Sequence, residues 1–293
     1  MRIGITSPIV VQHPAAASAW EREAGPAELS RIAQTADRLG YHHLTCSEHV
    51  AVPVDVATER GGTYWDPLAT LGFIAAQTHQ IKLATQVLVL GYHHPLEIAK
   101  RYGTLDLVSG GRLVLGLGVG SLREEFDTLG ADFAGRGRIA DDALAALRAS
   151  LSRPDPVYHG PHYDFGNVVV EPHAVQPRVP MWIGGRTPRS LRRAITLGDG
   201  WVPFGLPLVD LERLLGAVEL PDDFTVVVAA NQIDPLGNRA GLVTSLERRR
   251  DMGATIVGVS ISATSASHYC DQLEALHETG IEFGIDFTSE DKP

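Results

Sequence analysis

Two cysteines in 293 residues, Cys46 and Cys270, are too few for a disulfide framework, and they do not sit at zinc-ligand spacing. A reducing compartment fits that scarcity. Basic side chains are outnumbered, with 25 Lys and Arg against 35 Asp and Glu and a formal net charge of -10. A broad basic face for neutralising nucleic-acid phosphates is not expected of such a chain. No stretch approaches the roughly 20 apolar residues of a membrane-spanning helix. The start, "MRIGITSPIVVQHPAAASAW", lacks the charged and apolar regions of a secretory signal. Together these absences predict a cytoplasmic protein whose partner is a small molecule, neither nucleic acid nor membrane.

The chain does have a core to bury, since 44% of its residues are hydrophobic. No internal repeat, low-complexity tract or second core divides it, so residues 1–293 are read as a single domain. Short β-rich apolar runs recur at 2–7, 43–47, 82–90, 112–118, 181–185, 200–204, 224–230 and 255–262. Segments with helical spacing separate them, such as Leu29, Ile32, Ala36 and Leu39 in "AELSRIAQTADRLG". Strands alternating with helices imply a parallel sheet buried on both faces. Eight of them in this length point to an α/β fold, a closed (β/α)₈ TIM barrel, with an open doubly wound sheet as the alternative. The Pro- and aromatic-rich stretch 151–180 breaks the rhythm and is read as an excursion near the barrel mouth, with room for a hairpin.

Within "LVSGGRLVLGLGVGS" (107–121), alternation places Leu113, Leu115, Leu117 and Val119 on one face of a strand and Gly116, Gly118 and Gly120 on the other. The leucine face is expected to meet the outer helices and the glycine face to look into the barrel. There a missing Cβ lets a backbone or a flat ligand come close, although a narrow interior could by itself require small residues. The spacing is not a dinucleotide fingerprint, because Ser121 or Arg123 falls where the last glycine of G-x-G-x-x-G is needed. In "WIGGRTPRSLRRA" (182–194) a strand ends at Gly184-Gly185, Thr187 is placed to cap a helix, and Pro188 fits its first position. With Arg186, Arg189, Arg192 and Arg193, this start reads as a phosphate cradle, or else as a capped helix with a solvated basic face. At the end of the second strand, "CSEHV" places Glu48 beside His49, a carboxylate and an imidazole where barrel enzymes keep reacting groups. Both can face a pocket only if the strand has already ended. The pairs His42-His43, His93-His94 and His159/His162 lack companion ligands, so no metal site is expected.

These three sites in this order, with "IKLATQVLVLGYHHPLEIAKRYGTLDLVSGGRLVLGLGVGS" between them, resemble the bacterial luciferase-like family and most closely its F420-dependent oxidoreductase branch. The resemblance implies the same barrel, a deazaflavin or flavin at its mouth, and a homodimer. It also implies a cis peptide at Gln86-Val87 behind the cofactor ring. Gly184 and Gly185, with Arg186 and Thr187, would meet the cofactor phosphate. Glu48 would bond the polar edge of the ring, His49 would face the reacting ring, and Gly118, Gly120 and Ser121 would border it. Ser121 stands where the sugar-phosphate dehydrogenases of that branch have a glutamate, so that substrate is not implied. Tyr64 and Trp65 are candidate substrate contacts. The expected activity is hydride transfer between F420 and a small organic substrate. The alternatives are an FMN-dependent monooxygenase and a non-catalytic flavin-binding protein.

Overall fold

In the computed structural model, which describes residues 1–14 and 16–288, every one of the eight apolar runs is a barrel stave. The strands are β1 (Arg2–Ile5), β2 (His43–Cys46), β3 (Lys82–Thr85), β4 (Leu88–Val89), β5 (Leu113–Gly118), β6 (Tyr158–His159), β7 (Asp164–Phe165), β8 (Met181–Gly184), β9 (Gly200–Val202), β10 (Thr225–Ile233) and β11 (Ile256–Ile261). Around the barrel the order is β1, β2, β3, β5, β8, β9, β10, β11 and back to β1, all parallel, with β4 continuing the β3 stave. Only β6 and β7 stand apart, as an antiparallel hairpin pairing Tyr158 with Phe165 inside the 151–180 excursion.

The surrounding helices are α1 (Pro26–Arg38), α2 (Val54–Arg60), α3 (Pro67–Gln77), α4 (Pro95–Ser109), α5 (Arg123–Leu129), α6 (Arg136–Ser150), α7 (Pro188–Leu197), α8 (Leu208–Leu215), α9 (Arg239–Asp251) and α10 (Ala266–Phe283). Proline opens α1, α3, α4 and α7, where its fixed φ suits the helix and its missing N–H is no loss. No helix of the described residues is long and apolar enough to cross a membrane.

Alternation along β5 sorts the core as its sequence predicts. Leu113, Leu115 and Leu117 pack in the large cluster between sheet and helices, which includes Ile98 and Tyr102 of α4 and Leu144 and Leu147 of α6. Val114 points the other way, into a small interior cluster with Ala84, Trp182, Val202, Val227 and Ile256.

The stave formed by β3 and β4 carries one extra residue. Leu83 pairs with Leu113 but Leu88 pairs with Leu117, so five steps on one strand match four on the other. This bulge accounts for the glycine spacing. A Cβ on Gly116 would lie 1.9 Å from the Thr85 carbonyl oxygen, and one on Gly118 would lie 2.5 Å from Val87 Cγ2. From the opposite neighbour, a Cβ on Gly184 would lie 2.8 Å from Val87 Cγ1. The space that the glycines open at 116, 118 and 184 is thus filled by the protein's own bulge, with the Val87 side chain between two glycines, instead of standing open for a ligand.

The excursion runs along α4 and α6. Asp142 of α6 accepts from Tyr158 Oη at 2.5 Å and from the backbone N–H groups of His162 and Tyr163. The rings of Tyr163 and Phe165 lie against His94, which caps the start of α4 on the mouth side.

Candidate active site

Strand β2 has ended at Cys46 before Glu48 and His49 are reached, so the two neighbours are free to serve different partners. Ser47 Oγ donates to the Gln86 carbonyl at 2.6 Å, and Gln86 N–H donates back to the Cys46 carbonyl. The Gln86-Val87 peptide that follows is cis, as the resemblance implies. Glu48 is buried, with one carboxylate oxygen accepting from Val89 N–H at 2.6 Å and the other from His93 Nε2 at 2.6 Å. Burial alone would lower the His93 pKa, but the bond to Glu48 and its charge outweigh it and raise the value. Both Glu48 oxygens therefore anchor the far side of the bulge.

His49 turns to a carboxylate that its own sequence neighbourhood does not contain. Its Nδ1 lies 2.7 Å from Glu125 Oε2, and the histidine side chain is 20% exposed while that of Glu125 is fully buried. The other Glu125 oxygen accepts from the N–H groups of Val50 at 2.6 Å and Ala51 at 3.1 Å, and Tyr92 Oη donates to Oε2 at 2.9 Å. Burial pushes the Glu125 pKa up, but the bonds from His49, Ala51 and Tyr92 more than reverse this and hold it below the ordinary value. An ionised carboxylate only accepts, so Nδ1 carries the proton in this bond and Nε2 is the nitrogen left for chemistry. The Tyr64 ring packs edge-on against His49 with centroids 4.5 Å apart.

Sequence reasoning missed Glu125 and Tyr92. A signal for Glu125 does exist: Leu122, Glu125 and Phe126 stand at i, i+3 and i+4, and all three are buried. An acid inside a buried apolar stripe needs partners, and here they come from the β2 loop.

The third feature lies three staves from β2, after β8. Gly185 has φ +149°, and a Cβ there would fall 2.4 Å from Ser190 Cβ. Thr187 Oγ1 accepts from Ser190 N–H at 3.2 Å and Ser190 Oγ accepts from Thr187 N–H at 3.1 Å, a reciprocal cap that opens α7. Arg186, Thr187 and Arg189 are exposed around this start. Arg193 is not part of the exposed charge, being buried and paired with Asp141 of α6.

Glu48, His49, Gln86, Val87, Gly118, Gly120, Ser121 and Gly184 to Thr187 thus come from the C-terminal ends of neighbouring staves β2, β3/β4, β5 and β8, one continuous arc of the rim. Gly120 has φ +76° and its Cβ position is crowded by Phe126 and Val89, while exposed Ser121 accepts from Arg60 at 3.4 Å. Tyr64 joins the arc through His49. Trp65 packs against the core, with its carbonyl accepting from Cys46 Sγ. A cavity of about 960 Å³ opens at the opposite end among Arg2, Lys82, Trp182 and Thr255, and none of the predicted site residues lines it. The chemistry and this cavity are therefore at different ends of the barrel, and the rim is the candidate site because the acid-base groups are there. Among the described residues no cluster of three or more His, Cys, Asp or Glu is placed to hold a metal ion.

A family model described as luciferase-like monooxygenase matches residues 1–230. The chain belongs to the luciferase-like monooxygenase family. An uncharacterized protein of Mycobacterium tuberculosis is 29% identical over 276 residues, covering 87% of this chain and 94% of that one. Among solved structures, the monooxygenase RslO1 from Streptomyces bottropensis superposes with a TM-score of 0.74 at 22% identity, over 97% of this chain and 100% of its own. The coenzyme F420 dependent tetrahydromethanopterin reductase from Methanopyrus kandleri does so with 0.69 at 16% identity, over 96% and 99%. At those identities the two structures share this protein's fold.

A phosphate-bearing ring cofactor, such as the coenzyme F420 named for the Methanopyrus kandleri reductase, is compatible with the residues present. The Gly185 turn and the exposed α7 start with Arg186 and Arg189 suit a phosphate, and His49 offers a ring nitrogen at the same rim.

Proposed function

We propose that this protein is an oxidoreductase that transfers hydride between coenzyme F420 and a small organic substrate, with His49 handling the accompanying proton. The observation that carries the reading is the His49 imidazole fixed by a buried, ionised Glu125 at the barrel rim. Such a pair sets which nitrogen is protonated and where the other one is available, which is what a general acid or base requires. When bound, F420 supplies a two-electron hydride carrier with a carbon at the position where flavins react with oxygen. Arg186 and Arg189 at the start of α7 hold its anionic chain, and their number in an acidic protein favours the more anionic F420 over FMN. Glu125 keeps the Nδ1 proton throughout, so proton gain and loss fall to Nε2. Tyr64 holds the imidazole plane by its edge contact.

A second reading, an FMN-dependent monooxygenase, draws support from the likeness in fold to RslO1. Titrating the protein with F420 and separately with FMN, while following ring fluorescence, distinguishes the two. Tight F420 binding that is lost in Gly185→Glu supports the proposal. Preference for FMN moves the reaction to oxygen chemistry, and binding of neither removes the cofactor reading. A screen of alcohols and carbonyl compounds with F420 then identifies a turnover assay. In it His49→Ala is expected to lower kcat by about 10²-fold or more with cofactor affinity unchanged. Full turnover by that variant overturns the role of His49.

A further inference from the structure

Helix α2 follows the His49 loop and buries none of its residues, so core packing does not fix its position. Its end is tied down all the same. Tyr64 Oη donates to the Arg60 carbonyl at 2.9 Å, and Gly61 N–H closes the last turn on the Ala57 carbonyl. Gly61 has φ +83°, and a Cβ there would lie 2.2 Å from the Gln12 carbonyl oxygen, so the turn admits only glycine. Backbone bonds from Gln12 to Thr63 and from Trp65 to Val10 then hold the following residues to the β1 loop. The fold thus places Arg60 without gaining buried surface from its helix.

What this fixes is a guanidinium beside the acid-base pair. Arg60 Nη1 donates to Ser121 Oγ at 3.4 Å, joining the segment after β2 to the end of β5. His49 and Glu125 join the same two segments at 2.7 Å. Tyr64 links the two bridges, since its ring meets that of His49 and its hydroxyl bonds the Arg60 backbone. Burial raises the Tyr64 pKa, with the Arg60 charge opposing and the Glu125 charge adding to the effect, so this phenol stands in the field of both.

The cation is not matched by a charge of the protein. Among the described residues Arg60 forms no ion pair, and the buried carboxylates of the site are taken: Glu48 by Val89 N–H and His93, Glu125 by His49, Tyr92, Val50 and Ala51. An arginine stays charged, and its planar fork of five donors fits a carboxylate through two parallel bonds. One long bond to a serine leaves most of that fork unused, and the side chain is partly exposed, so a ligand can reach it. An ordinary surface arginine is merely solvated. Arg60 differs in being held, by contacts that serve no core, one side chain away from His49.

We propose that Arg60 is a specificity-determining residue that receives the carboxylate of a small organic acid, whose reacting carbon then lies toward His49. That the acid is the enzyme's substrate rests on the oxidoreductase reading; that Arg60 binds a carboxylate does not.

Benzoate is the probe and benzamide its uncharged counterpart, each titrated into the protein by NMR. Benzoate is expected to shift the Arg60 side-chain N–H and Ser121 amide signals saturably, and benzamide to bind about 10-fold or more weakly. Arg60→Met should weaken benzoate binding by about the same factor. Arg60→Lys should do so by less, because a point charge replaces the fork. As α2 buries nothing, both variants should keep the melting temperature of the unmodified protein. Equal affinity for benzoate and benzamide, benzoate binding unchanged in Arg60→Met, or shifts confined to Arg186 and Arg189 overturns the proposal. F420 affinity is expected to be the same in Arg60→Met as in the unmodified protein. A loss of about 10-fold would assign Arg60 to the cofactor's own carboxylates and overturn the substrate assignment. Failure of F420 to bind the unmodified protein would instead overturn the oxidoreductase reading and leave the benzoate result standing.

Discussion

His43 opens strand β2 and His49 lies three residues past its end, yet the fold handles the two imidazoles in opposite ways. His43 is fully buried and lies across Gly4, where a Cβ would come within 2.0 Å of its ring, and it packs edge-on against Trp182. Among the described residues no carboxylate pairs with it, and burial, with Lys82 adding to the effect, pushes its pKa down to about 3. His49 keeps a fifth of its surface in solvent and has Glu125 behind it. Burial without a counter-charge turns a histidine into a neutral core ring, whereas a buried carboxylate behind a partly exposed one makes it useful for proton transfer. Proximity in sequence is no guide to which outcome applies.

The largest effect expected from this contrast appears in acid. Above the ordinary histidine value of about 6.5, folded and unfolded chains agree that His43 is neutral. Below it the unfolded chain takes up a proton that the folded protein refuses. Stability therefore falls as pH drops toward 3, by up to on the order of 5 kcal/mol. In His43→Phe that acid-side loss should vanish, as read from urea unfolding across pH 7 to 3. Parallel curves for the two proteins would break the contrast by showing His43 protonated in the fold.

At the other end of the strand, Glu125→Ala leaves the Val50 and Ala51 N–H groups, Tyr92 Oη and His49 without their acceptor. A loss of about 3–5 kcal/mol is expected at neutral pH. The Glu125 pKa is depressed, so its contribution is complete above the ordinary carboxylate range and disappears as pH falls through the lowered folded value. The gap between Glu125→Ala and the unmodified protein should close in strong acid, and a gap independent of pH would mean that the carboxylate's charge is irrelevant. Glu125→Gln is the gentler probe, with about 1–2 kcal/mol lost. Its amide nitrogen donates where the carboxylate accepted, so the His49 proton should move from Nδ1 to Nε2. Nitrogen-15 shifts of the imidazole report that tautomer directly, and an unchanged tautomer would deny Glu125 its hold on the ring.

Much of this was legible in the sequence, for identifiable reasons. The staves are buried on both faces over most of their length, so each reads as an unbroken β-rich run, with ends displaced by one to three residues, as where 2–7 becomes Arg2–Ile5 and 224–230 becomes Thr225–Ile233. Gly185, Thr187 and Pro188 are local turn and cap chemistry, and they occupy the predicted positions. What escaped depends on partners far along the chain. Nothing near Gly116 and Gly118 says that Thr85 and Val87 fill their space, nothing near Arg193 says that Asp141 pairs with it, and Glu125 lies 76 positions from His49.

His93 sharpens the comparison with the smallest expected effect and the opposite sign. Its pKa is raised, because the bond and charge of Glu48 overcome burial, so its stabilising contribution is full below about 6.5 and is lost as pH rises through the raised folded value. His93→Gln should therefore lower stability by about 1 kcal/mol at pH 6 and less at pH 9, while the His43→Phe difference stays constant once the pH is well above about 6.5. Thermal melts at the two pH values suffice. A deficit in His93→Gln that grows with pH would mean that the Glu48 pairing does not favour the charged ring, and the rule drawn from His43 and His49, that the neighbouring carboxylate decides, would then fail on a third histidine.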